Sequence, residues 1–346
     1  MKPIFIYLVT LIVISTASKG DDNLNLFEIG KSQFQKYLDI KLAEIITKSN
    51  NSRVAAAPFA LLHEGRTKYS VLLIHGLNDS PYYMKDIAQL LFDQGYNVIT
   101  LLLEGHATSF EDMKSVEHTQ WVESLHWGLG TAKQLGENVL VGGFSTGGVL
   151  SVYAALETSD VKGLLLLAPA LAVHDGNSGN RYGAWSCLLS WRARTTAVVD
   201  SPIKYKEHSM NSYCQLMHLI SDTYEKAGAN AISKFTTSDS DTEKSIIKIA
   251  EKINVPTFVA MTSIDGRVPF DKLMLFYTRL KVSKRGIIFT PNRNELPETD
   301  NLTIEDNFSL KHGFMPLKEN HYNKEFNEKF NSLENSIKSF LAHNFN

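Results

Sequence analysis

The chain has 346 residues, of which 43% are hydrophobic and 21% charged, an ordinary globular composition with apolar material for one large core or two modest ones. Formal net charge is −2 and the lysines and arginines are scattered, so the basic stripe of a nucleic-acid partner is missing. Neither internal repeats nor a low-complexity tract occurs, which argues against a solenoid or a long disordered arm.

Lys2 precedes an apolar run from Pro3 to Ile14, and the small residues Ser15, Thr16, Ala17 and Ser18 follow. This is the pattern of a secretory signal, so residues 1–20 are expected to be removed and residues 21–346 to form the working protein, secreted or periplasmic. The run is short for a membrane span, which needs about 20 apolar residues. A buried N-terminal helix or a membrane anchor is the alternative. No cysteine follows the run, which argues against a lipid anchor.

Asn25 to Lys48 carries apolar residues at helical spacing and predicts a helix. From about residue 57, short apolar runs alternate with longer amphipathic stretches. Strands are predicted at Ser70–Ile74, Tyr96–Leu103, Asn138–Val141 and Val161–Leu167. Helices are predicted at Ser80–Gln94, with Ser80 as N-cap, Pro81 in its first turn and Gly95 beyond its end, at Thr119–Leu135 and at Thr146–Leu156. The rhythm breaks between about Pro169 and Thr242, a stretch rich in Trp, Tyr, Ser and His with helical fragments and no convincing strand. It resumes with helix Glu243–Ile253, strand Thr257–Met261, helix Phe270–Leu280, strand Arg285–Phe289 and a closing helix from about Asn323 to Leu341. Near-continuous apolar strands alternating with helices predict an α/β architecture, a mostly parallel sheet flanked by helices on both faces. The break at about 170–242 predicts a mainly helical cap over the sheet's C-terminal edge, where open α/β sheets bind ligands. The chain's cysteines, Cys187 and Cys214, both fall in that insertion. They pair in an oxidising compartment or remain two buried thiols.

Gly143-Phe144-Ser145-Thr146-Gly147 lies directly after a predicted strand and directly before a predicted helix. A G-x-S-x-G in that setting is a nucleophile elbow, a turn so tight that positions two before and two after the serine must lack side chains. It projects Ser145 at the head of a helix, whose dipole favours negative charge. A serine hydroxyl needs a base, and the base an orienting carboxylate. Around such elbows the acid and then the histidine follow the serine along the chain. Asp265, just past the strand Thr257–Met261, is the candidate acid, although an Asp before a Gly is also common turn chemistry. His312, in the loop between last strand and last helix, is the candidate base. His321, near the start of that helix, is the alternative, and His343 in the helix tail is set aside. The long polar stretch from Pro291 onward is expected to be a surface excursion. Oxyanion donors are expected to be the backbone N–H groups of Leu77, after Ile74-His75-Gly76, and of Thr146. His75 is expected to pack under its turn rather than to react. No H-E-x-x-H or comparable ligand spacing occurs among the 11 histidines, so neither metal nor cofactor is implied.

Four stretches, LLIHGLNDSPYYM (72–84), LLLEGHATSFEDM (101–113), VGGFSTGG (141–148) and TSIDGRVPF (262–270), resemble the α/β-hydrolase superfamily, in particular bacterial carboxylesterases and monoacylglycerol-lipase-like lysophospholipases. SLKHGFMPLKENHY (309–322) resembles the segment around that family's catalytic histidine. The chain departs from the usual Gly-His-Gly at Gly105-His106-Ala107, read as a structural loop, and carries Thr146 where Met or Gln is commoner. The resemblance implies an α/β-hydrolase fold with a cap, and hydrolysis of a small-molecule or lipid carboxylic ester through an acyl-enzyme. For a lipid ester it also implies transient contact with a membrane surface. Thioesterase or amidase chemistry would use the same three side chains, and a non-catalytic binding protein could retain the fold. Trp185, Trp191, Tyr205, Tyr213 and Leu188/Leu189 are candidates for an apolar acyl pocket or for ordinary cap packing.

Overall fold

The structure, a computed structural model, describes residues 19–174, 187, 193–195, 201–205, 207–229, 239–296 and 301–345. Among them eight strands form one sheet. They are β1 (Ala60–Leu61), β2 (Thr67–Ile74), β3 (Asn97–Leu101), β4 (Gly136–Phe144), β5 (Val161–Leu167), β8 (Thr257–Thr262), β9 (Lys284–Phe289) and β10 (Leu302–Glu305). Their order is β1-β3-β2-β4-β5-β8-β9-β10, antiparallel only at β1–β3.

Side chains alternate across a strand, so a sheet covered on both faces needs apolar residues at every position. Along β2, Leu72 and Ile74 enter one core while Val71 and Leu73 enter the other. In β5, Leu164 and Leu166 oppose Leu165 and Leu167 in the same way. One face is covered by α1 (Lys19–Ser49), α4 (His118–Leu135), α5 (Thr146–Glu157), α7 (Asp239–Lys252) and α8 (Phe270–Arg279). The other is covered by α2 (Lys85–Asp93) and α9 (Phe330–Asn344). The short α3 (Phe110–Ser115) precedes α4, and its N-cap Ser109 accepts from the Asp112 N–H. Among the described residues no helix is long and apolar enough to cross a membrane, and the apolar run Pro3–Ile14 lies outside them.

Several predicted elements change. The helix expected at Ser80–Gln94 divides into a 3₁₀ turn, Pro81–Met84, and α2, and the Ser80 side chain makes no capping bond. The long polar stretch after β9 is more than a surface excursion, because β10 emerges from it and pairs parallel with β9, Leu302 opposite Gly286. Only a small partner fits there, since a side chain on Gly286 would meet Leu302 and Tyr277. The closing helix starts at Phe330 rather than near Asn323, because Asn320, Asn323 and Asn327 spend their side chains on nearby backbone N–H groups. The insertion contains strand after all: β6 (Ala193–Thr195) pairs antiparallel with β7 (Glu207–Ser209), ahead of α6 (Met210–Lys226). Two three-residue strands carry too little periodicity to be read from sequence.

Candidate active site

Ser145 sits between β4 and α5 at φ 53°, ψ −111°, strained for a residue with a Cβ. Its surroundings leave no alternative. Its N–H donates to Leu167 O at 2.9 Å, and its carbonyl accepts from Ala170 at 3.0 Å and from Gly148 and Val149 in the first turn of α5. A Cβ on Gly143 would lie 2.2 Å from the Gly147 backbone, and one on Gly147 would lie 2.1 Å from Ile74 O. Both glycines are therefore steric requirements, as the elbow motif implies. Ser145 is 8% exposed. Thr146 opens α5, so its N–H is among the first-turn amides that a helix leaves without an intrahelical acceptor.

Asp265 lies just beyond β8 and is buried. Its Oδ1 accepts from the backbone N–H groups of Arg267 (2.8 Å) and Val268 (2.9 Å), which fixes the rotamer. Its Oδ2 accepts from His312 Nδ1 at 2.6 Å. With Nδ1 as the donor, the neutral imidazole presents a basic Nε2. The ring of Phe144, the residue before Ser145, rests against the His312 ring with centroids 4.8 Å apart. The histidine loop is tied to the strand that carries the acid, since Thr262 Oγ1 donates to Leu310 O at 2.7 Å. His321, by contrast, is exposed, and its backbone N–H goes to the Tyr82 hydroxyl. The carboxylate therefore pairs with the histidine that chain order alone could not select.

Leu77 lies in a turn closed by the Asp79 N–H on Gly76 O at 3.2 Å. Two buried imidazoles support it. His75 Nε2 accepts from the Leu103 N–H at 3.1 Å, so its Nδ1 donates to Gly76 O at 2.8 Å. His106 Nε2 accepts from the Asn78 N–H at 3.0 Å, and its Nδ1 faces Leu103 O and Glu104 O. Burial holds both neutral, lowering His75 to about 4 and His106 to about 3, the latter further depressed by His75. His75 is thus a strut, as expected, and His106 is a second one, in keeping with the structural loop read at Gly105-His106-Ala107. Ala107 follows it at φ 59°, a left-handed position that accounts for the glycine usual there.

The cap reaches the same turn. Ser212 on α6, whose hydroxyl donates to Ser209 O at 2.7 Å, comes within 3.5 Å of Asn78 Oδ1, and Lys204 Nζ lies 3.1 Å from Asp79 Oδ1. Cys187 and Cys214 are bonded, with Cα atoms 4.7 Å apart. His218 adjoins these two sulfurs, and they are spent on each other rather than free to hold a metal. Tyr205 is buried, its hydroxyl accepting from the Thr108 N–H at 2.8 Å, so it braces the cap rather than lining an acyl pocket. Tyr213 is half-buried on α6, while Trp185, Trp191, Leu188 and Leu189 lie outside the described residues. A polar cavity of about 140 Å³, lined by Lys41, Glu44, Glu104 and His106, contains none of Ser145, Asp265 or His312 and so is separate from this site.

A mostly parallel sheet, a serine elbow after its fourth strand and an acid–histidine pair from later loops together define the α/β-hydrolase class. The profile of the hydrolase family described as serine aminopeptidase, S33, matches residues 65–292, and the chain belongs to that family. Over 103 residues it is 35% identical to a thermostable monoacylglycerol lipase of Bacillus sp. (strain H-257), covering 30% of this chain and 41% of that one. Over 184 residues it is 32% identical to lipase 1 of Psychrobacter immobilis, covering 53% of this chain and 50% of the relative. The chain thus spans half or less of the curated relatives it matches. A soluble variant of monoglyceride lipase from Saccharomyces cerevisiae, solved with a substrate analogue, superposes with TM-score 0.59 at 14% identity, covering 83% of this chain and 91% of that one. At that identity the likeness concerns the fold.

Proposed function

We propose that the protein is a serine hydrolase acting on carboxylic esters of lipid or small-molecule type, with Ser145 as nucleophile, His312 as base and Asp265 as its orienting acid. The observation that carries this reading is the 2.6 Å hydrogen bond from His312 Nδ1 to Asp265, with the imidazole lying against the residue next to Ser145. His312 Nε2 takes the Ser145 proton as Oγ attacks the ester carbonyl. The Leu77 and Thr146 N–H groups receive the oxyanion. The alcohol leaves with the proton from His312, and an acyl ester remains on Ser145. Water, deprotonated by His312, then releases the acid and restores the serine. Asp265 stays ionised and steadies the imidazolium at both stages.

Both curated relatives are named lipases, which favours a lipid ester, whereas the family description, an aminopeptidase, supports amide cleavage as the second reading. A panel of p-nitrophenyl esters of increasing acyl length, run beside aminoacyl p-nitroanilides and a fluorophosphonate label, separates the two. Turnover of esters with labelling at Ser145 is expected. Ser145→Ala is expected to lose on the order of 10⁶ in kcat while staying folded, and wild-type turnover by that variant would overturn the mechanism. The export pattern at residues 1–20 and the cap disulfide support a secreted or periplasmic location. The mature chain should then begin between Ser18 and Asp21, and an intact Met1 on the exported protein counts against it.

A further inference from the structure

We propose that Lys204 is a positioning residue for this hydrolysis: its ammonium, carried in by the cap, holds Asp79 so that the turn from Gly76 to Asp79 presents the Leu77 N–H to the oxyanion. The inference rests on the functional reading above and adds a residue to it.

An oxyanion donor is worth its full effect only when held in place before the reaction, and a turn of four residues has few internal restraints. This turn is closed by one backbone bond, Asp79 N–H to Gly76 O. Its remaining end is the Asp79 side chain, which folds back over the turn. Asp79 Oδ2 lies 2.7 Å from where a Cβ on Gly76 would stand. The carboxylate is 6% exposed, and a buried carboxylate requires a countercharge. The countercharge is the Lys204 ammonium, in a side chain 12% exposed, which lies 3.1 Å from Oδ1 as an ion pair rather than as an aligned hydrogen bond.

Lys204 is held from behind. The Arg53 guanidinium donates to the carbonyls of Ser201 and Lys204, each at 3.0 Å, and lies 4.4 Å from the Tyr205 ring. The Tyr205 hydroxyl is in turn bonded to the loop after β3. The ammonium thus projects from a braced stem. It also lies 3.8 Å from Glu325 and 5.2 Å from the Tyr83 ring centre, and it would be 3.7 Å from a Cβ on Gly313, the neighbour of His312. It therefore stands between the oxyanion turn and the histidine loop. Burial disfavours its charge, but Asp79 and Glu325 outweigh that and raise its pKa, with Arg267 opposing. Asp79 and Glu325 both face the Lys204 ammonium, so its charge is answered within the fold and the geometry points to positioning rather than to recognition of an anionic substrate.

Steady-state kinetics on a p-nitrophenyl ester test this with Lys204→Met, Asp79→Asn, their double variant and Lys204→Arg. Each neutral single variant should lower kcat on the order of 10²-fold, with KM moving less than about threefold, as for loss of one oxyanion donor. The double variant should be no slower than the singles, because both act through one contact. Fluorophosphonate labelling of Ser145 should slow in parallel, and Lys204→Arg should recover part of the loss. A folded Lys204→Met protein with kcat within about threefold of wild type would overturn the proposal, as would a change confined to KM or losses that multiply. Should Lys204→Met fail to fold, the double variant, which leaves no buried charge alone, decides by the same kcat criterion. A wild-type protein that neither turns over esters nor labels at Ser145 would instead overturn the functional reading.

Discussion

The loop after β8 holds its carboxylate with its own backbone, whereas the turn after β2 is held from far away. Asp265 Oδ1 takes the N–H groups of Arg267 and Val268, two and three residues onward. Asn78 depends on His106, 28 residues on, while Asp79 depends on Lys204 in the cap. A loop closed by its own backbone keeps its shape wherever the strand ends. A turn braced by distant side chains has its shape only when the whole fold is assembled. The acid and the oxyanion donor, equal in the proposed reaction, therefore differ in what disturbs them.

The comparison is broken most severely at the base. His312→Ala should cost about as much as loss of the serine, on the order of 10⁶ in kcat, while exposed His321→Ala should stay within about twofold. Steady-state kinetics on a p-nitrophenyl ester check this, and the reverse pattern would make His321 the base. Next comes Asp265→Asn, which should cost on the order of 10⁴ in kcat, since the amide cannot fix the histidine tautomer as the carboxylate does. Its amide oxygen can still accept from Arg267 and Val268, so the urea midpoint should barely move. A large loss of stability would show that this loop is not self-supporting.

The remotely braced turn should instead fail with acid. His75 and His106 are neutral when folded, with pKa values of about 4 and about 3, but titrate near 6.5 when unfolded. Between those values the unfolded chain binds more protons. Stability is therefore fully present above about pH 6.5 and is lost as pH falls toward 4. His75 alone should remove on the order of 3 kcal/mol by pH 4. Urea unfolding from pH 7 to pH 4 measures the slope, and His106→Gln should flatten it. A slope unchanged in that variant would mean that His106 does not titrate on unfolding. Comparable in size is the cap disulfide, whose partners are 27 residues apart and whose reduction should cost about 3 kcal/mol of chain entropy. Thermal unfolding with and without dithiothreitol, beside non-reducing peptide mapping, reports it. Two free thiols in protein from an oxidising compartment would remove the bond from the account.

Elements with their own periodicity or local chemistry are legible in the sequence. The apolar runs of β2 to β5, the two glycines around Ser145 and the loop carrying Asp265 each satisfy a constraint within a dozen residues. The structure places strands, elbow turn and loop there, with strand ends moved by a few residues. The misread regions share the opposite property. β10 and the β6–β7 pair are strands of three or four residues that exist by pairing with a neighbour. The closing helix begins late because asparagine side chains satisfy the backbone ahead of it.

The sequence by itself determined the central strands of the sheet, the elbow and the chemical types of the proposed nucleophile, acid and base, because those follow from residue spacing along one strand, turn or helix. Only the tertiary structure decided which histidine meets Asp265, that Cys187 meets Cys214, and that His106 and Lys204 brace the oxyanion turn. Each of those contacts joins segments far apart in the chain. Such pairings arise when packing of the two faces of the sheet brings its C-terminal loops and the cap stem together, and no local pattern encodes that.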